Sequence, residues 1–116
     1  MSGAFILNSE TIEQLRSLGD DDFVREIFEA WEGQAALLLA GLHGALLSRD
    51  RKAFRRFTHA LAVSSLNVGA SAVADVCRFV EAALAHETAV PDSRQFAAIK
   101  REFARAATEI QRAKAN

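Results

Sequence analysis

The chain has 116 residues, half of them apolar and a quarter charged, with fourteen Lys and Arg against fifteen Asp and Glu for a formal net charge of −1. That length suits one core, so a single domain over residues 1–116 is expected, and the composition excludes long disordered tracts. The even charge balance argues against a dedicated nucleic-acid binder, the lone Cys77 excludes an intramolecular disulfide, and no apolar run approaches a membrane span.

Pro and Gly are sparse, one and six residues, and no alternating pattern is long enough to build a sheet. Turn signals at Gly19-Asp20, Ser48-Arg49-Asp50, Asn67-Val68-Gly69 and Val90-Pro91-Asp92 divide the chain into five segments with helical periodicity. The first, about residues 9–18, carries Ile12, Leu15 and Leu18 on one side. The second, about 20–47, opens on three Asp residues that suit the positive end of a helix dipole. Its apolar positions Val24, Ile27, Trp31, Ala35, Leu38, Leu42 and Ala45 keep helical spacing, although Gly33, Gly41 and Gly44 weaken it. The third, about 50–67, shows Phe54, Phe57 and Leu61, with Val68 just beyond it. The fourth, about 70–86, shows Val73, Val76, Cys77, Val80 and Leu84. The fifth, about 93–114, repeats Phe96, Ile99, Phe103, Ala106 and Ile110. It opens on Asp92 and Gln95 in a capping arrangement, behind Pro91. Four long stripes on short connections predict an all-α fold: an antiparallel four-helix bundle with an additional short N-terminal helix across one end.

Chemistry has few candidates in this chain. His43, His59 and His86 are never three or four residues apart, and the Glu-x-x-His pairs of a bundle metal site are absent, so no metal or cofactor is expected. Cys77 lies on an apolar stripe and reads as a small buried hydrophobe. Trp31 and the Phe residues read as core or core edge, with Phe23 or Phe28 able to border a docking patch. Ser64 and Ser65 read as back-bonding or packing hydroxyls, Asn67 and Gly69 as turn formers, and His86 as a last-turn cation of the fourth helix.

His59 stands out on the helical wheel. With Phe57 as the centre of the buried stripe, Phe54, Leu61, Ser64 and Val68 fall within about 60° of it, at about 100° per residue. His59 then falls at about 200°, nearly opposite, with Arg55, Arg56, Ala62, Val63 and Leu66 beside it. Geometry alone leaves open an ordinary surface histidine, a histidine in a docking patch, or part of a basic face with Arg49, Arg51 and Lys52.

Residues 59–70 read His59-Ala60-Leu61-Ala62-Val63-Ser64-Ser65-Leu66-Asn67-Val68-Gly69-Ala70. The run resembles the motif of the histidine-containing phosphotransfer (HPt) domain family, His-x-Leu-Lys-Gly-Ser-Ser/Ala-x-Asn-hydrophobic-Gly-Ala. Cys77 and Val80-Glu81 follow at the family's spacing, and Arg55-Arg56 match a basic pair that often precedes its His. The Phe23–Ala45 segment is similar to the family's long second helix. The lone cysteine and the lack of a signal-like segment lead to the expectation of a cytoplasmic chain. The resemblance implies a phosphoryl carrier in which His59 accepts a phosphoryl group from a receiver-domain aspartate and passes it to a response regulator. It implies Arg55 and Arg56 near the phosphoryl group, and Ala62, Val63 and Leu66 against the partner. That partner would be the receiver domain of a response regulator or hybrid sensor kinase, holding the Mg itself. No nucleic acid and no membrane insertion are implied.

Two positions depart from the family pattern. Ala62 stands where the family has Lys, and Val63 where it has Gly. Both changes lie beside His59, so a second expectation is a module of the same fold that docks on a signalling partner without transferring phosphate.

Overall fold

The computed structural model describes residues 6–115. Among them five helices form and no strand: α1 (Ser9–Leu18), α2 (Asp21–Leu47), α3 (Arg51–Asn67), α4 (Ser71–Ala83) and α5 (Ser93–Ala115). Their starts follow the sequence signals. Asn8, Asp20 and Asp50 each accept a hydrogen bond from the backbone N–H three residues on, the usual N-cap geometry. At α5 the bonds are reciprocal: the Arg94 N–H donates to Asp92 Oδ1 at 2.6 Å, and the Asp92 N–H donates to Gln95 Oε1 at 3.0 Å. The Arg94 side chain and backbone N–H together hold the Asp92 carboxyl below the usual carboxylate range.

α2 and α4 each pack on both α3 and α5, which closes the four long helices into a ring. Neighbours run antiparallel. Trp31 meets Ser65 while Gly41 meets Phe57 across α2–α3, and Trp31 meets Phe103 while His43 meets Phe96 across α2–α5. Phe54, Leu42, Leu61, Ile99 and Ile110 fill the centre. The bundle predicted from periodicity is the bundle observed.

The α3–α4 turn is built on Gly69 at φ +79°, a left-handed conformation that a side chain rarely adopts. Its carbonyl accepts from the Asn8 N–H at 2.6 Å, which pins the start of α1 across this end of the bundle. One boundary differs from expectation. The fourth segment stops at Ala83 rather than 86, because Leu84 is buried as the C-cap and its carbonyl turns to Arg51 Nη1 at 2.9 Å. His86 therefore lies in the loop after α4, not in its last turn.

Candidate functional site around His59

α3 is wedged between α2 and α4, so it buries a broad arc. Phe54, Thr58, Leu61, Ala62 and Ser65 are all buried, while Phe57 is only partly so. The centre of burial is near Thr58, about 90° round the wheel from Phe57. Hydropathy misplaces it because two buried members are polar and satisfied. The Thr58 hydroxyl donates to the Phe54 carbonyl at 2.8 Å, and Ser65 Oγ accepts from Trp31 Nε1–H at 3.2 Å.

His59 consequently sits on the α4 flank of the exposed arc rather than diametrically opposite the core. Its side chain is 61% exposed, and Nδ1 lies 2.9 and 3.1 Å from the two carboxylate oxygens of Glu81 on α4. An ionised carboxylate only accepts hydrogen bonds, so Nδ1 carries the proton and donates it. In the neutral ring the lone pair then lies on Nε2. Glu81 fixes the tautomer of the imidazole.

The remaining expected site residues divide. Val63 and Leu66 are exposed, at 47% and 37%. Ala62 is not: at 3% exposure it is packed into the bundle, on the flank where Arg55 and His59 reach α4. The expectation that Ala62 presents a docking side chain is corrected by the arc α3 buries between two helices. Arg55 is half-buried, and its Nε donates to the Glu81 carbonyl at 3.3 Å. Arg51 one turn earlier donates to Leu84, so both arginines bond carbonyls at the C-terminal end of α4, where cations suit the helix dipole. Arg56 is exposed and rests over the Phe57 ring, with its guanidinium 5.8 Å from the centroid.

Together Arg51, Lys52, Arg55, Arg56, His59 and Glu81 line an open pocket of about 540 Å³ between α3 and α4. Four cationic side chains therefore share this pocket with the His59 imidazole. Sequence reasoning grouped Arg51 and Lys52 only with a general basic face. Their spacing to Arg55 and Arg56, one helical turn, is the signal that joins them. Glu81 appeared only through the resemblance, with no role, since nothing along the chain discloses the register of α3 against α4.

Elsewhere the reactive side chains are accounted for locally. His43 stacks on Phe96 with centroids 5.6 Å apart and planes at 6°, and Lys100 covers the same ring. Cys77 is buried, and burial first, then the Glu81 charge, pushes its thiol up to about 12. Among the described residues no group of three or more His, Cys, Asp or Glu side chains could hold a metal ion. No helix among them is long and apolar enough to cross a membrane.

Comparison with protein-family models and with curated proteins finds no match. Among solved structures the chain is similar to the crystal structure of histidine-containing phosphotransfer protein B (HptB) from Pseudomonas aeruginosa PAO1, at a TM-score of 0.81. The two share 22% identity, over 92% of each chain. A helical bundle carrying an exposed histidine on its third helix thus has the fold of a histidine-containing phosphotransfer protein.

Proposed function

We propose that this chain is a phosphorelay carrier that accepts a phosphoryl group on His59 from a receiver-domain aspartate and passes it to a response regulator. The observation that carries the reading is the His59–Glu81 pair, which leaves Nε2 with a free lone pair inside a pocket of four cations. The HPt motif at residues 59–70 and the fold shared with HptB support it.

In this reaction the Nε2 lone pair attacks phosphorus in line, an N–P bond forms, and the P–O bond to the aspartate breaks to release its carboxylate. Positive charge develops on the ring as it does so. The Nδ1–H bond to Glu81 offsets that charge, and Arg55 and Arg56 offset the charge of the transferred group. The partner supplies the divalent metal, and the reverse reaction hands the phosphoryl group on. The test is incubation with phosphorylated receiver domains. Acid-labile label on the wild-type chain and none on His59→Gln is the expected result; no label on wild type, or label surviving the substitution, overturns the reading.

A second reading keeps the docking and drops the transfer. Val63, one turn from His59, sets a β-branched side chain beside the imidazole, and Ala62 brings no charge there. Receiver binding that is equal in wild type and His59→Ala, with no label on either, is its signature.

A further inference from the structure

The exposed arc of α3 is ordered along its axis. Lys52, His59 and Leu66 are spaced by seven residues, two helical turns, and so stand in one line about 10 Å apart. Arg56 and Val63, again seven apart, form a second line beside it. All five are exposed. On the N-terminal side of His59 both neighbours are cations, and on the C-terminal side both are apolar. The surface is thus polar along one direction, with the imidazole at the boundary.

Within this cationic half Arg56 rests over the Phe57 ring, but the fold does not account for Lys52. α1 and α2 place acidic residues in their first turns, as the dipole favours, whereas α3 opens on Arg51 and Lys52 behind the Asp50 cap. Arg51 is used by the bundle, since it holds the Leu84 carbonyl. Lys52 makes no hydrogen bond or ion pair among the described residues, and it sits where the field of its own helix is unfavourable. A cation kept there, in line with His59, is available to another molecule.

We propose that Lys52 is a specificity-determining contact: it engages an acidic segment flanking the phosphoryl-aspartate of the partner receiver while Val63 and Leu66 seat an apolar segment on the opposite flank. This rests on the phosphotransfer reading for the identity of the partner. An occupant with one acidic and one apolar flank fits the strip in one orientation only, because reversing it would put carboxylates on Leu66 and apolar groups on Lys52. Receivers neutral or basic on the first flank are disfavoured.

Docking needs no transfer, so the test uses His59→Gln protein and measures the affinity of unphosphorylated receivers that differ in the charge of that flank. Acidic-flanked receivers are expected to bind best, with an affinity that falls as ionic strength rises. Lys52→Glu should weaken them about fivefold and flatten the salt dependence, and a receiver with the acidic residue reversed should restore binding. In the His59 protein the same substitution should raise KM by more than it lowers transfer at saturating receiver. Lys100→Glu, on the helix diagonal to α3, alters net charge equally and should do nothing. Unchanged affinity in Lys52→Glu, an equal loss in Lys100→Glu, or binding by no receiver overturns the proposal. So does salt-sensitive binding of duplex DNA that Lys52→Glu removes. Label on His59 with a neutral Lys52→Glu sinks this inference alone; Lys52-dependent docking without label sinks the transfer reading alone.

Discussion

The ring of Phe57 occupies the space that a side chain at Gly41 would need: a Cβ there would lie 2.7 Å from Phe57 Cζ. Gly41 therefore sets how closely α2 approaches the helix that carries His59. Gly33 and Gly44, on the same helix, have nothing within 4 Å of the same position. Gly41→Ala is expected to lower stability by about 1 kcal/mol, because the displaced ring costs more than the helix gains. Gly33→Ala and Gly44→Ala should each raise it by roughly 0.5–1 kcal/mol. Urea melts of the three single variants check the ordering; Gly41→Ala as stable as Gly44→Ala would mean that Phe57 swings aside freely.

Glu81→Ala removes the acceptor that fixes the His59 tautomer. Phosphoryl acceptance should slow by roughly fivefold, the equivalent of about 1 kcal/mol of hydrogen bonding. Nitrogen NMR gives the readout that a purely structural role would not move. The neutral ring should carry its proton on Nδ1 in the wild type and become a mixture in the variant.

Ser65→Ala strands the Trp31 Nε1–H in the core, where it now donates to the serine hydroxyl. A buried donor without a partner costs about 1–3 kcal/mol. Thermal melts should show that loss, with little change in Ser64→Ala, whose hydroxyl only returns to the Leu61 carbonyl of its own helix.

Cys77 should resist thiol reagents at pH 8 in the folded chain and react fully in denaturant, since burial pushes its thiol up to about 12. The sign of the pH effect follows. Below the ordinary thiol value of 9.0 both states keep the proton, so Cys77 adds no pH dependence there. Between that value and about 12 the unfolded chain loses its proton while the folded chain keeps it, so stability falls as pH rises. Cys77→Ser should flatten that alkaline decline; an identical slope in the variant would assign it to other groups.

The helices were legible because each is a long apolar stripe closed by local chemistry: Asp20, Asp50 and the Asp92–Gln95 pair cap the helices they precede, and Gly69 turns where a left-handed residue is needed. His59 was legible as exposed. What was not legible depends on the register of one helix against another. Ala62 was expected outside because the wheel was centred on Phe57, an aromatic at the edge, while the true centre holds Thr58 and Ser65, whose hydroxyls are satisfied by partners that hydropathy ignores. Glu81 is 22 residues from His59, and only the antiparallel alignment of α3 and α4 brings the two together. Arg55 illustrates both limits, being correctly placed beside His59 but partly committed to the Glu81 carbonyl.

The hydrogen bonds at the start of the chain bear on how much of it makes a transplantable unit. α4 has no side-chain cap at Ala70; instead the Ala72 N–H donates to the Ile6 carbonyl at 3.5 Å, and the adjoining Asn8 N–H closes onto Gly69. A domain boundary drawn at the first residue of α1 would keep every residue of the pocket and the strip. It would still open the first turn of the helix whose other end presents Glu81. A version of this module that begins at Ile6 is therefore expected to be more stable than one that begins at Ser9, although neither cut removes a residue of the pocket.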